Sequence, residues 1–284
     1  MARRVAVVTD STSYLPTKWA QDLAIIKVPV QVIVAGKAYK EGVDISTADV
    51  AQALREWQPV STSRPSPAEF AKAYQDAADS GADSIVSAHL SADLSGTVET
   101  AILASRESPI PVEVVDSRTL TMSLGFACVS GAKLANDGGD MFEVAAAIRG
   151  RAAVSDCIFY VDSLEYLRRG GRMGKTAAAI GTALRVKPIL KVDEGRVALV
   201  EKVRTSSKAL ARLADMALGQ VAAAGGDVDI AVQHIGAPDR ASALAEVLGA
   251  ELGGQEIVEI EIGAVVGTHV GPNTVSVVVA PRNW

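Results

Sequence analysis

The chain has 284 residues, room for two domains of ordinary size or one large one. Its hydrophobic share is 49% but its aromatic share only 4%, so the core must be built from Val, Ala, Leu and Ile, as in buried strands covered by Ala-rich helices. With 33 acidic residues against 28 basic ones it is mildly negative, which argues against a nucleic-acid binder, whose footprint is a basic excess.

In chain order, "RVAVVTD" is a short apolar run ending at Asp10, the pattern of a buried parallel strand. "STSYLP" then turns into a helix beginning near Pro16, and "IIKVPVQVIV" reads as a second extended segment whose Pro29 belongs at an edge. "ISTADVAQALREW" is helical, capped by Ser46 or Thr47, with Val50, Ala53, Leu54 and Trp57 on one face. In "STSRPSPAEFAKAYQDAADSG", Ser66 caps a helix, Pro67 takes its first position, Glu69 completes a capping box and Gly81 ends it. "DSIVSAHL" is a strand, "SADLSG" a loop, "TVETAILASRES" a helix and "VEVVD" a strand ending at Asp116. Helical stretches follow around 127–135 and 141–151. This alternation predicts a parallel sheet covered on both faces, a three-layer α/β/α arrangement.

The pattern changes near residue 155. "DCIFYVDS" is a strand and "LEYLRRGG" a short helix, and "VKPILKVDEGRVALVEKVR" is a hairpin turning at Glu194-Gly195. A helix, a strand, a second helix and two strands complete a mixed α/β half. The expected organisation is therefore two domains, residues 1–155 with the parallel sheet and residues 156–284 with a mixed sheet.

"GGRMGKT", Gly170 to Thr176, looks like a phosphate loop, but that motif needs glycine where Arg169 stands and a buried strand where "SLEYLRR" reads as helix. Hydroxyls are concentrated where strands end and helices begin: "TDSTS", "STSRPS", "SADLSGT" and "DSRTLTMS". Free amides and the positive end of a helix dipole favour an anion there, a carboxylate as readily as a phosphate. A helix cap accounts for Ser66 and Ser11. It does not account for Thr62 and Ser63, which lie upstream of their own cap, nor for Ser95, Gly96 and Thr97 together at one helix entry. An esterase or thioesterase with Ser95 as nucleophile and His269 as base is the competing reading, although "DLSGT" is not the G-x-S-x-G elbow. A binder of a sugar phosphate or nucleotide phosphate is a third. His269 lies in glycine-rich "GAVVGTHVGPN", where a loop or strand histidine is the plain expectation.

Cys128 and Cys157 sit in apolar surroundings and read as reduced core thiols of a cytoplasmic protein. No secretory signal and no apolar stretch long enough to cross a bilayer is visible. His89, His234 and His269 lack metal-ligand spacing, so no metal is expected.

Together, "VVTDSTSYLP", "TSRPSPAEF", "LSGTVETA", "VVDSRTLTMSLG", "LEYLRRGGR", "RVKPIL", "EKVRT" and "GTHVGP" resemble the DegV family of bacterial fatty-acid-binding proteins, in order and over nearly the whole chain. The resemblance implies a two-domain α/β fold with an acyl tunnel between the domains, no cofactor and no catalysis of its own. It further implies a role as the lipid-carrying subunit of a fatty acid kinase. A separate ATP-dependent kinase phosphorylates the bound carboxylate for phospholipid synthesis. By that likeness Thr62, Ser63, Ser95, Gly96, Thr97 and His269 hold the fatty-acid carboxylate, and Arg172 and Arg204 meet the phosphate or the partner kinase. Transient membrane contact, without a transmembrane segment, fits the same likeness. The family often reads "HxGPG", whereas Asn273 stands here in place of the last glycine; Asn tolerates the left-handed backbone such a turn needs.

Overall fold

A computed structural model describes residues 4–173 and 186–283. Gly174, Lys175 and Thr176 of the phosphate-loop-like stretch, and Arg185 of "RVKPIL", lie outside the described residues. The first half runs β1 (Val5–Asp10), a 3-10 turn, α1 (Thr17–Asp22), β2 (Ile26–Val28), β3 (Gln31–Val34), β4 (Lys37–Lys40), α2 (Thr47–Arg55), β5 (Val60–Ser63) and α3 (Pro67–Asp79). It continues through β6 (Ser84–His89), α4 (Thr97–Ser105), β7 (Val112–Asp116), α5 (Thr121–Asn136) and α6 (Met141–Val154). The second half runs β8 (Asp156–Tyr160), α7 (Glu165–Arg169), β9 (Lys187–Asp193), β10 (Arg196–Val203), α8 (Ser206–Ala223), β11 (Val228–His234), α9 (Pro238–Glu251), β12 (Ile257–Glu261), α10 (Ala264–Val270) and β13 (Val275–Pro281).

The parallel sheet has the order β2-β1-β6-β7. Its side chains alternate between two helical layers. Val8 and Ile85 pack with Phe70, Tyr74 and Ala101 of α3 and α4. Val7, Val86 and Ala88 pack with Leu124, Val144 and Ile148 of α5 and α6. This is the three-layer α/β/α arrangement that the strand–helix alternation predicts. Inside it, Asp10, His89, Ser87 and Tyr74 form a buried chain of hydrogen bonds, with His89 3.1 Å from Asp10 and 2.7 Å from Ser87. Asp10 also accepts from the amides of Thr12 and Leu90, so it ties the ends of β1 and β6 together.

The second sheet is mixed, in the order β10-β9-β8-β13-β11-β12, with only the β11–β12 pair parallel. One face, including Ile158, Tyr160, Val277 and Val279, packs against α8 and α9. On the other, Cys157, Ala231, Val278 and Ala280 meet Met122 and Phe126 of α5, which joins the two sheets into one body. Arg151, itself buried, crosses the same junction to pair with Asp229 and to donate to Ser130 at 2.6 Å. Burial pushes the Asp229 carboxyl up, but the guanidiniums of Arg282 and Arg151 outweigh it and hold the group below the usual carboxylate range.

Four local readings change in three dimensions. "IIKVPVQVIV" is two strands in two sheets: β2 is an edge of the parallel sheet, and β3 lies at the centre of a three-stranded antiparallel sheet, β4-β3-β5. Pro29 has no amide to donate, and the Val30 amide leaves the ladder to donate to Ser11 at 3.0 Å. The start of "STSRPS" belongs to strand β5, in which Thr62 pairs opposite Val32 of β3. Trp57 is 80% exposed rather than on the buried face of α2. The helix ends at Arg55, and a left-handed Trp57 (φ 59°) turns the ring outward, 5.8 Å from the Arg169 guanidinium. His269 is helical, on α10. Other local signals hold. Ser66, Pro67 and Glu69 form the capping box of α3, Glu194 and Gly195 both have positive φ at the hairpin turn, and Asn273 has φ 63°.

Asp229→Ala should lower stability by about 2 kcal/mol, less than the ~3–5 kcal/mol of breaking a fully buried pair, because Asp229 keeps some solvent contact. A urea midpoint unchanged from the parent would remove Arg151–Asp229 as a clamp between the sheets.

Candidate functional site

Where α5 does not reach, the inner face of the mixed sheet is left facing a cavity of about 360 Å³, within the roughly 300–1,000 Å³ usual for small-molecule sites. Most of its wall is apolar: Phe159 of β8, Val192 and Val197 of the β9–β10 hairpin, Leu94 and Leu120 from the loops beyond the parallel strands, and Val266 of α10. The hairpin tip is tied to those loops. Ser91 donates to the Gly195 carbonyl at 2.8 Å, and Arg196 pairs with Asp93 at 2.7 Å.

The polar lining groups come from several elements. Thr62 of β5 and His269 of α10, 207 positions apart, share a hydrogen bond of 2.8 Å between Oγ1 and Nε2. The other ring nitrogen, Nδ1, is buried without a partner among the described residues and lies against Gly170; a Cβ there would overlap the imidazole. That close approach explains the first glycine of "LEYLRRGG". Arg172 bonds the Gly170 carbonyl and donates to the Leu94 carbonyl at 3.0 Å, so it bridges α7 to the loop before α4. Ser95 Oγ lies 2.9 Å from Thr97 Oγ1. Gly96, which lines the cavity, is the N-cap of α4 and supplies no side-chain cap to the first amides of that helix. The Arg64 guanidinium lies over Gly96, where any Cβ would collide with it, and pairs with Glu99 at 3.1 Å.

Of the sequence candidates, Thr62, Ser63, Ser95, Gly96, Arg172 and His269 line one cavity. Thr97 does not line it; fully buried, it holds the Ser95 hydroxyl. Arg204 is exposed beyond the end of β10 and outside the lining, because the hairpin carries it away from the mouth. Ser95 and His269 do not form a nucleophile–base pair: the hydroxyl faces Thr97 and Nε2 faces Thr62. Sequence reasoning missed Arg64, which stands in the quoted "STSRPS" but shows its place only once β5 lies beside α4. Cys157, expected in the core, also lines the cavity; burial pushes its thiol up to about 11.

The cluster is electrostatically primed for an anion. Burial pushes His269 down to about 4, and the positive charge of Arg172 acts in the same direction. Burial also lowers Arg172. At neutral pH His269 is thus an uncharged imidazole and Arg172 a guanidinium partly stripped of solvent, which a negative group would relieve.

A family model described as "uncharacterised protein, DegV family" matches residues 4–282. The chain belongs to the DegV family. A DegV domain-containing protein of Streptomyces coelicolor is 50% identical, over 99% of this chain and all of that one. Among solved structures, a DegV family protein from Thermus thermophilus described by its fatty acid binding superposes with a TM-score of 0.90 at 34% identity, over 98% of this chain and 99% of that one. DegV of Bacillus subtilis, a fatty acid binding protein, superposes with the same score at 29% identity, over 99% and 100%. The parallel sheet and the separate mixed sheet therefore match the fold of these solved DegV structures. Among the described residues, no helix is long and apolar enough to cross a membrane, and no group of three or more metal-ligating side chains gathers.

The depressed value of His269 makes a prediction about pH. The unfolded chain protonates a histidine near ~6.5, whereas the folded protein resists until about 4. The stability this contributes is complete above the unfolded value and falls as pH drops from there toward 4. His269→Gln should flatten that part of a urea-midpoint profile, and an NMR titration of the ligand-free ring should have its midpoint near 4. A midpoint at the ordinary histidine value would mean the ring is open to water.

Proposed function

We propose that the protein binds a long-chain fatty acid, with the tail in the apolar cavity and the carboxylate on Thr62, Ser63, Ser95, Gly96 and His269. Thr97 acts behind Ser95. The observation that carries this reading is an apolar cavity with hydroxyls, an imidazole and two guanidiniums gathered in its wall. The fatty-acid-binding relatives of Thermus thermophilus and Bacillus subtilis support it. The energetics suit a carrier. Each buried methylene is worth about 0.8 kcal/mol, so a tail of ~14 gives roughly 11 kcal/mol before the costs of binding.

The carrier has no catalysis of its own in this reading and requires no cofactor. It works in the cytoplasm, with residues 1–155 and 156–284 as two domains enclosing the tail. A separate ATP-dependent fatty acid kinase phosphorylates the exposed carboxylate, and the acyl phosphate enters phospholipid synthesis. This step rests on the family resemblance of the sequence. Its structural support is cationic: Arg172 and Arg64 at the cluster suit an added phosphate, and exposed Arg204 suits a docking partner.

Mass spectrometry of denatured, freshly purified protein should release about one fatty acid per chain. Ser95→Ala should weaken binding by about 0.5–3 kcal/mol, the range for one hydrogen bond to a charged or buried group. A polar phosphorylated ligand, or p-nitrophenyl ester turnover abolished by Ser95→Ala, would overturn the carrier reading.

With a cognate kinase and ATP-magnesium, Arg204→Ala should slow acyl-phosphate formation while leaving fatty-acid affinity within about twofold, because Arg204 lies outside the lining. Arg172→Ala should reduce both. Unchanged turnover in Arg204→Ala would remove that residue from the partner surface.

A further inference from the structure

The helix that carries His269 is held from its far end by a carboxylate on another element. α10 has Gly263 as its N-cap, and no side chain of its own caps it. Glu41, just after β4, fills that role from 224 positions away: its Oε1 accepts from the Val265 amide at 2.7 Å. Tyr14 completes the arrangement. Its hydroxyl donates to Glu41 at 3.2 Å and accepts from the Val266 amide at 3.3 Å. Ser11 donates to the other carboxylate oxygen at 2.5 Å. Two of the unpaired amides at the start of α10 are thereby satisfied by one buried carboxylate and one partly buried phenol. Gly263 permits the approach: a Cβ there would overlap both Glu41 and Tyr14.

This carboxylate sits in an unfavourable place. Burial raises its pKa, opposed by the donors Ser11, Val265 and Tyr14. Every direct partner donates to it, which suits an acceptor-only, ionised group. A fold that only needed to cap a helix of this length could do so with a Ser or Asp at position 263 at no desolvation cost.

The topology shows what the arrangement accomplishes. Glu41 is anchored to the three-stranded sheet, where its amide donates to the Val30 carbonyl at 2.9 Å. The same sheet carries Thr62 on β5, paired to Val32 of β3. The sheet's apolar face, including Val30 and Val32, packs on Ala264 and Val265 of α10. One small sheet thus supplies Thr62 directly and, through Glu41, grips the helix that supplies His269. We propose that Glu41 is a positioning residue for the carboxylate site: by capping α10 it sets the separation of His269 and Thr62, and with it the geometry offered to a ligand's head group. The proposal rests on the fatty-acid reading given above for what binds, but not for the positioning itself.

The test compares two ligands of equal tail, palmitate and hexadecanol, on wild type and Glu41→Gln, with the His269 ring followed by NMR in the ligand-free protein. Glu41→Gln keeps the size of the side chain but replaces one acceptor oxygen by a donor that faces Ser11 or Val265. Palmitate affinity should fall about threefold to thirtyfold, the span for losing a charged cap. Hexadecanol affinity should stay within about twofold, and the His269 ring resonances should shift. Equal losses for both ligands, or no loss for either with an unshifted ring, would reduce Glu41 to a stability residue and overturn the proposal. If wild type binds neither ligand, the fatty-acid reading fails, and the ring resonances still decide the positioning. If Glu41→Gln does not fold, Tyr14→Phe removes only the phenol and should move both readouts the same way by a smaller amount; no movement overturns the proposal.

Discussion

The structure depends on burying both faces of the mixed sheet. Along β8, Ile158 and Tyr160 point to α8 and α9, while Cys157 and Phe159 point the other way. A strand's side chains alternate, so an apolar strand without a cover on its second face would leave a hydrophobic surface in water. α5 covers part of that face through Met122 and Phe126. The loops beyond the parallel strands, the β9–β10 hairpin and α10 roof the rest at a distance, and the space between is the cavity. The cavity is therefore a consequence of how two sheets of different topology meet. It lies beyond the carboxyl ends of the parallel strands, where open α/β sheets place their ligands.

Its chemistry follows from what that meeting desolvates. An imidazole taken out of water and set near a guanidinium loses basicity, and His269 falls to about 4. Arg172 is lowered by burial as well. Desolvated cationic and neutral donors beside an uncapped helix start form an environment that is costly when empty of charge and favourable for one anion. In the proposed carrier, the apolar remainder of the wall would contribute most of the binding free energy of a long tail, and the polar groups would decide which end of the ligand faces out. Close backbone approach maintains the cluster's density: Gly170 against His269, Gly96 under Arg64, Gly263 beside Glu41. Each would be displaced by a single methyl group.

Much of the fold was legible in the sequence because its signals are local. A capping box needs only Ser66 and Glu69, and a hairpin turn only Glu194 and Gly195. A left-handed turn accepts Asn273 wherever the chain lies. The alternation of apolar runs with amphipathic helices fixed the order of elements, and the switch near residue 155 marked where a different sheet begins. The hydroxyl-rich strand ends and the family's motifs also pointed to Thr62, Ser95, Arg172 and His269, which line one cavity.

Tertiary structure alone decided the rest, through contacts between residues far apart in sequence. Position 62 becomes a strand residue because β3 lies beside it, and Trp57 is exposed because α2 ends early. Glycines spaced by four around His269 read as a loop until Glu41 supplies the cap that makes α10 a helix. Arg64 gains meaning from Gly96, Thr97 from Ser95, and the imidazole's low basicity from Gly170 and Arg172 packed around it. Propensity and periodicity act over a few residues, so the sequence by itself determines which segments form and what each can offer. Hydrogen-bond distance and desolvation depend on neighbours brought from more than 200 positions away, so only the folded chain decides which of those offers meet.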